Sequence, residues 1–254
     1  MIKAFLTCMG MFTKLPVPMV EWEDKKGPLA LCFLPMAGFF CGLFVFGVYY
    51  LCYWLNLATD ISAFLILIAM FAVSGFVHLD GFMDISDAFL SSKDREGKIA
   101  VLKDSRVGAF SVISVVFLIL LGFISMKMIL YDCFFPVLFI LIPMISRNFA
   151  ALVIFVMKPL QNKGLMFYFK DGQKNVHLIT MLISMLVLLL ATAFIGMIYF
   201  IAIVITIAII MIMDILIQHD IGGINGDVAG ATIVLTEFLS YFLIAVISNI
   251  ISVS

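Results

Sequence analysis

The stretch Thr180–Ile217 reads TMLISMLVLLLATAFIGMIYFIAIVITIAIIMIMDILI, and Asp214 is the only charged residue in it. A membrane-spanning helix needs about 20 mostly apolar residues. The stretch is therefore long enough for two spans, and Gly196 is the one break between them. The whole 254-residue chain follows the same trend, since it is 65% hydrophobic and only 12% charged. Soluble domains are about half apolar and about a quarter charged. The composition excludes a soluble enzyme, and the net charge of −1 excludes a nucleic-acid binder with a broad basic face.

Further apolar segments of spanning length occur on both sides of this stretch. The predicted spans are Leu29–Leu55, Ile61–Val77, Phe110–Leu130, Phe134–Met157, Val176–Ile195, Tyr199–Ile217 and Val228–Ile251. The sequence thus predicts an all-α fold, a polytopic integral membrane helical bundle of about seven transmembrane helices, with six or eight left open. Residues 1–254 form a single membrane domain. Met1–Thr13 is too short to span and is predicted to be an interfacial or re-entrant helix, which Pro16 and Pro18 stop.

The positive charges predict the orientation of this bundle. In a seven-span arrangement, 13 of the 15 basic residues lie before the first span, between the second and third, or between the fourth and fifth. Lys127 and Arg147 are the exceptions. Because cytoplasmic loops carry the excess of lysine and arginine, we expect a multi-pass protein of the cell inner membrane. Its N-terminus, both long loops and any site built on them would face the cytoplasm.

Three aspartates follow the second predicted span, within Gly75–Ala88. Asp80, Asp84 and Asp87 are spaced i, i+4 and i+7, so on a helix they fall within about 60° of one another. Such like charges repel, and a divalent cation would relieve them. Magnesium is held by one or two carboxylates, with water and substrate phosphates completing its shell. The alternative is a polar helix end that faces water. His78 is either a proton acceptor or a hydrogen-bonded interfacial histidine.

The next loop contains KDSRVGAF at 103–110. Asp104 adds a fourth carboxylate that could bind the metal, and Lys103 and Arg106 are expected to contact phosphate oxygens. The alternative for these residues is flanking charge at the end of a span. Asp94 is predicted to cap a short helix that begins after it.

A glycine-rich turn follows the sixth predicted span. It contains Gly222, Gly223, Asn225, Gly226 and Asp227. Its backbone amides and the start of the next helix could bind an anionic substrate, although Asp227 could equally be a plain N-cap.

Two charged residues lie inside predicted spans, where charges are costly and have partners. Arg147 and Glu237 either form a pair or contribute to substrate binding, Arg147 through substrate phosphate. Asp214 is a weaker case of the same kind.

These blocks, in this order, resemble the adenosylcobinamide-GDP ribazoletransferase family, also called the cobalamin 5′-phosphate synthase family. TKLPVP at 13–18 is similar to its TRLPVP, and Gly75–Asp87 is similar to its GLHLDGxxDxxD. KDSRVGAF at 103–110 is similar to its KDSRxGAF, and Arg147 matches an arginine of its central span. Gly222–Ala231, followed by LTE at 235–237, is similar to its GGxTGDxxGA and LTE. Lys14, Asn225 and Ala88 depart from the usual arginine, threonine and glycine, and Gln218 and His219 stand where an arginine is common.

The resemblance implies a membrane transferase that joins adenosylcobinamide-GDP to α-ribazole or its 5′-phosphate. The products would be adenosylcobalamin or its 5′-phosphate and GMP. On this basis Asp80, Asp84, Asp87 and Asp104 are candidate Mg²⁺ ligands, and Asp84, Asp80 or His78 would accept the proton of the attacking ribose hydroxyl.

The remaining expectations concern substrates and partners. The candidate substrate-binding residues are Lys103, Arg106, Arg147, Gly222, Gly223, Asn225, Gly226, Asp227 and Glu237. The expected partners are these small molecules and the lipid bilayer, with no nucleic acid and with homo-oligomerisation left open. The alternative functions are a membrane phosphotransferase of the CDP-alcohol type or, less favoured, a cation or proton transporter that uses Asp84, Arg147, Asp214 and Glu237.

Overall fold

The computed structural model describes residues 1–18, 20–21, 23–131, 135–161 and 163–253. Within these ranges the chain forms helices and no strand, apart from an isolated parallel bridge between Pro159 and Ile224. The first six helices are α1 (Ile2–Phe12), α2 (Gly27–Leu31), α3 (Leu34–Trp54), α4 (Thr59–Ser74), α5 (Val77–Leu90) and α6 (Arg95–Val101). The other six are α7 (Ala109–Tyr131), α8 (Leu138–Val156), α9 (Leu165–Lys170), α10 (Asn175–Ile195), α11 (Met197–Ile221) and α12 (Gly226–Val253).

The predicted helical membrane bundle is confirmed. Six segments are long and apolar enough to cross a membrane, namely α2 with α3, α7, α8, α10, α11 and α12. A seventh is counted if α4 and α5, which are bent by 90° relative to each other, are taken together. The break between the fifth and sixth predicted spans falls at Gly196, where the backbone is extended. Phe134, the predicted start of the fourth span, lies outside the described residues.

The bend between α4 and α5 is made by two successive left-handed residues, Gly75 (φ +65°) and Phe76 (φ +63°). Left-handed backbone suits glycine but is unfavourable for a residue with a side chain. The TKLPVP segment holds this bend in place. The backbone N–H of Lys14 donates to the carbonyl of Val73 at 3.0 Å, and the Lys14 side chain covers Gly75 so closely that a Cβ there would lie 2.2 Å from it. This contact gives the segment a structural role that its sequence did not reveal.

The packing of α5 against α12 depends on two glycines. A Cβ at Gly81 would lie 2.9 Å from the backbone of Asp227, and one at Gly230 would lie 3.2 Å from the Cα of His78. Small residues allow membrane helices to approach with their backbones nearly in contact. The crossing therefore places the middle of the acidic helix α5 directly against the start of α12.

The N-terminal helix α1 packs into the bundle with part of its surface buried. Ala4, Cys8, Met9 and Phe12 are buried, and α1 packs against α2 and α3. This result confirms the predicted N-terminal helix. The Phe12 ring at its end lies 6.1 Å from the His78 ring and 5.9 Å from that of Phe169, measured between centroids.

Lys127, which departs from the pattern of positive charges, has an acidic partner. Its Nζ lies 2.7 Å from the carboxylate of Asp60. The pair joins the start of α4 to the last part of α7, at the opposite end of α4 from the bend.

The close crossing can be tested by adding one methyl group. We expect Gly81→Ala to lower the melting temperature in detergent, because the new Cβ meets backbone atoms that cannot rotate away. Overpacking of this kind costs about 1–3 kcal/mol. Gly47→Ala is the matched control, since nothing lies within 4 Å of its Cβ position on α3. The control should melt at or slightly above the unmodified temperature, because alanine favours helix. Equal melting temperatures for the two variants would contradict the close crossing.

Candidate active site

Asp80, Asp84 and Asp87 all lie on one helix, α5, as their spacing predicts. Their surroundings differ. Asp84 borders an open cavity. Partial burial, followed by the carboxylates of Asp227, Asp80 and Asp87, raises its pKa to about 6. Asp84 therefore lies among like charges that disfavour its ionised form, and a perturbed carboxyl that borders a cavity is a candidate site residue.

Asp87 has a different role from that of its neighbours. Its two carboxylate oxygens accept hydrogen bonds from the backbone N–H groups of Gly108 at 2.7 Å and Ser111 at 2.9 Å. These donors lie at the start of α7, where backbone N–H groups lack helical partners. Although burial opposes ionisation, these bonds hold the pKa of Asp87 below its ordinary value. Gly108 is required for this arrangement, since a Cβ there would lie 2.4 Å from the carboxylate. Asp87 thus joins α5 to α7, and its oxygens are already engaged.

Asp104 and Arg106 form an ion pair with each other in the loop before α7. The Arg106 Nη2 lies 2.6 Å from the Asp104 carboxylate, and hydrogen bonds from Arg106 lower the pKa of Asp104 to about 2. Both side chains border the cavity that Asp84 faces. That cavity has a volume of about 310 Å³, and Asp80 and Lys103 also line it. Acidic and basic groups therefore share one opening.

The glycine turn is held in place by contacts on both of its sides. Arg95 Nε donates to the carbonyl of Ile221 at 3.0 Å, and a Cβ at Gly222 (φ +88°) would overlap the Arg95 guanidinium. A Cβ at Gly223 would lie 2.6 Å from the backbone of Leu160. Gly222 and Gly223 thus make close protein contacts in the predicted substrate turn. The sequence shows Arg95 only as one of the basic residues between the second and third predicted spans, because its partner Ile221 lies far away in sequence.

Asn225, and not Asp227, is the residue that caps α12. Its Oδ1 accepts from the N–H of Val228 at 3.1 Å, and its Nδ2 donates to Asp227 at 2.6 Å. The N-cap alternative for Asp227 is therefore wrong. Asp227 is instead directed toward α5, where it raises the pKa of Asp84.

Two further cavities meet at this point. One, of about 190 Å³, is lined by Lys103, Lys163, Asn225 and Gly226, among others. The other, of about 380 Å³, is bordered by His78, Asp80 and Asp227. Lys103 also lines the cavity at Asp84, and Asp80 lines both that cavity and the one at His78. The three cavities thus share lining residues around the crossing of α5 and α12, and we refer to them together as the cleft.

Arg147 and Glu237 lie inside the bundle and form a buried ion pair. Neither of them lines the three cavities. Ser146 Oγ donates to the same glutamate oxygen at 2.9 Å. Of the two alternatives for Arg147, the structure contains the pair. Asp214 is also buried and accepts from the hydroxyl of Thr232 at 3.0 Å. These groups join α8 to α12 and α11 to α12.

The described part of the chain contains no group of three or more His, Cys, Asp or Glu side chains arranged to hold a metal ion. Asp80 and Asp84 nevertheless line one cavity, and their charge is unbalanced. Magnesium is bound through one or two carboxylates, with substrate phosphates as further ligands. The donor set at Asp80 and Asp84 fits this mode, whereas the oxygens of Asp87 are occupied by amides.

The fold and the cleft define a polytopic helical membrane protein with a mixed acidic and basic site at one end of its bundle. Residues 4–245 match the family described as CobS, Cobalamin-5-phosphate synthase, and the chain belongs to this family. The family is one of transferases of cobalamin biosynthesis.

Curated relatives support the same assignment. The adenosylcobinamide-GDP ribazoletransferase of Clostridium perfringens (strain SM101 / Type A) is 38% identical over 246 residues, which cover 96% of this chain and 98% of the relative. The protein of the same name from Clostridium botulinum (strain Alaska E43 / Type E3) is 33% identical, with 95% and 96% covered. That of Geobacillus thermodenitrificans (strain NG80-2) is 28% identical, with 92% and 91% covered. No solved structure matches the chain.

Replacement of Asp87 should affect stability more than replacement of Asp84. We expect Asp87→Ala to lower the free energy of unfolding by about 1–3 kcal/mol, because it leaves buried N–H groups at the start of α7 without partners. Asp84→Ala is the control, because it removes a carboxylate that repels its neighbours, and it should be at least as stable as the unmodified protein. Thermal unfolding in detergent measures both. A greater loss for Asp84→Ala would contradict the capping role.

Proposed function

We propose that this chain transfers the cobinamide phosphate group of adenosylcobinamide-GDP to α-ribazole or its 5′-phosphate and releases GMP. The family of the chain and the printed names of its relatives support this proposal. The five ordered sequence blocks lie in the helices and turns around the cleft or in the buried core behind it.

The observation that carries the proposal is the meeting of Asp80, Asp84 and Asp227 beside Lys103 and Arg106. A diphosphate needs both kinds of group, because its oxygens bind cationic side chains while a metal ion screens them from nearby carboxylates. Phosphoryl transfer requires alignment and charge neutralisation more than a protein nucleophile. A cleft that is lined by both acidic and basic groups supplies these requirements.

In the proposed reaction, a ribose hydroxyl oxygen attacks the phosphorus that is bonded to the cobinamide arm. The bond from this phosphorus to the bridging oxygen breaks, and its electron pair leaves with GMP. The hydroxyl proton passes to a basic group, for which Asp84, Asp80 and His78 are the candidates. A general base works best with a pKa near the working pH, and burial together with the neighbouring carboxylates raises the pKa of Asp84 toward that range, to about 6.

We propose Mg²⁺ as the cofactor and Asp80 and Asp84 as the residues that would hold it. Bound there, the ion would supply positive charge against the diphosphate. Lys103 and Arg106 would contact phosphate oxygens from the opposite wall, with Asp104 orienting Arg106. Asp87 would act indirectly. It would fix the start of α7, the helix that follows the loop with Lys103 and Arg106.

We also propose that the cleft faces the cytoplasm and that the protein lies in the cell inner membrane. The cleft is built from α5, the loop before α7, α9 and the turn before α12. Lys93, Arg95, Lys98, Lys103, Arg106, Lys158, Lys163, Lys170 and Lys174 lie in these segments or beside them. Such an excess of basic residues is typical of cytoplasmic loops.

Asp84→Asn tests the role of the acidic wall. We expect GMP release to fall at least a hundredfold with excess Mg²⁺, because the amide neither accepts the proton nor binds the metal as a carboxylate does. Asp60→Asn is the matched control, since Asp60 pairs with Lys127 away from the cleft, and it should keep its activity. Retained GMP release in Asp84→Asn would contradict both proposed roles of Asp84.

The substrate class is tested by comparing adenosylcobinamide-GDP with a CDP-alcohol on the purified protein. We expect GMP and cobamide from the first, together with α-ribazole, and no CMP from the second. Release of CMP with a lipid alcohol, or cation flux in proteoliposomes without a nucleotide product, would favour one of the alternative functions instead.

The raised pKa of Asp84 predicts the direction of the pH dependence. Asp84 is a carboxylate above about pH 6 and becomes a neutral acid below it. We therefore expect kcat/KM, which reports the free enzyme, to fall toward low pH, because a protonated Asp84 neither accepts the proton nor binds the metal. The residual activity of Asp84→Asn should lack this acid limb. A profile of the unmodified protein without an acid limb would contradict the role of an ionised Asp84.

A further inference from the structure

The cavity of about 380 Å³ beside the acidic wall has two chemically different ends. Its apolar end is formed mainly by Met11 and Phe12 of α1 and by Leu165, Met166 and Phe169 of α9. Its polar end is formed by His78, Asp80 and Asp227. Small-molecule sites are largely apolar cavities with a few placed polar groups, and this cavity has that composition.

His78 indicates that this cavity binds a ligand, because one of its two ring nitrogens makes no hydrogen bond with the described residues. Its side chain is buried, with 4% of its surface exposed, and its Nε2 has no hydrogen-bond partner among the described residues. The ring is hydrogen-bonded to the backbone of Phe12. Phe12 is the last residue of α1, where carbonyl groups lack helical partners, so the ring donates to this carbonyl through its other nitrogen. In the neutral ring Nε2 is then an acceptor, and it lacks a donor.

Buried aromatic side chains pack around the apolar end, next to this acceptor. The ring centroids of Phe12 and Phe169 are 5.9 Å apart, and the His78 ring lies 6.1 Å from Phe12. Phe169 is almost fully buried and Met166 lies beside it in the wall. Flat heteroaromatic bases stack on such surfaces, and one stacking contact is worth about 1–3 kcal/mol on alanine substitution.

We propose that this cavity binds the acceptor nucleoside, with its aromatic base against Phe12, Phe169 and Met166 and a ribose hydroxyl donating to His78 Nε2. The proposal rests on the proposed function, which supplies a nucleoside as the acceptor. Its polar end shares Asp80 with the cavity assigned to the diphosphate. An acceptor held in this way has its ribose directed toward the phosphorus and its base directed toward α1 and α9.

The first experiment measures binding of α-ribazole alone to the full-length protein in detergent by calorimetric titration. We expect Phe169→Ala to raise the Kd by about tenfold or more and to leave the KM for adenosylcobinamide-GDP within twofold. Phe194→Ala is the matched control, because Phe194 on α10 is 94% exposed, and its Kd should be unchanged. Where Phe169→Ala lowers the yield of folded protein, Met166→Trp fills the cavity instead and should raise the Kd in the same way. An unchanged Kd in the folded variant would overturn the proposal.

The second experiment separates the base from the ribose by using benzimidazole, which carries no sugar, as a competitor of α-ribazole. Phe169→Ala should weaken inhibition by benzimidazole. His78→Phe keeps an aromatic ring but removes both nitrogens, Nε2 and the N–H donor to Phe12. It should leave inhibition by benzimidazole within twofold, since the base packs against Phe12, Phe169 and Met166, while it raises the Kd of α-ribazole. Inhibition by benzimidazole that is insensitive to Phe169→Ala would overturn the assignment of the base.

If the proposed function is wrong, the activity assay gives a result that differs from those described above. In that case the unmodified protein would release no GMP from adenosylcobinamide-GDP and α-ribazole. If GMP is released normally and only the response of α-ribazole binding to Phe169 and His78 is missing, the proposed function stands and the acceptor site lies elsewhere.

Discussion

The close approach of α5 and α12 at Gly81 and Gly230 is the constraint on which the site depends. Without a side chain at either position, the backbone of Asp227 lies against the segment between Asp80 and Asp84. Three carboxylates from two distant parts of the chain thereby meet at one point. Their mutual repulsion is unfavourable, and helix packing elsewhere holds the two segments together against it. Carboxyl groups that are brought together in this way at a cavity mark a candidate functional site.

Around this crossing, the remaining polar contacts act mainly as supports. Asp87 fixes the start of α7, Asn225 fixes the start of α12, and Arg95 holds the glycine turn through the carbonyl of Ile221. Lys14 holds the left-handed bend that turns α5 away from α4. Deeper in the bundle, the pair of Arg147 and Glu237 joins α8 to α12. Several residues that stand out in the sequence as charged or glycine thus position the cleft walls and do not line them.

The helical bundle was predictable because its spans differ so strongly from the rest of the chain in hydropathy. The break at Gly196, the cap at Asp94 and the helix that carries Asp80, Asp84 and Asp87 all follow from local pattern. The partners that these residues contact do not follow from local pattern. Periodicity puts Asp87 on the same face as Asp84, but only the tertiary structure shows that its oxygens bind amides of α7. For Asp227, the sequence fitted both a helix cap and a site residue. The structure excludes the cap, because the neighbouring Asn225 accepts the hydrogen bond at the start of α12.

The cleft also has a consequence for how the protein is made. Its walls come from the first helix, from α5 and from the start of the last span, so they are joined only when the end of the chain is in place. Because membrane segments enter in order from the N-terminus during synthesis, a partly made chain holds its acidic helix without the facing wall. Such a chain should have no complete binding surface, so a nascent or prematurely terminated polypeptide would not sequester a scarce corrinoid precursor.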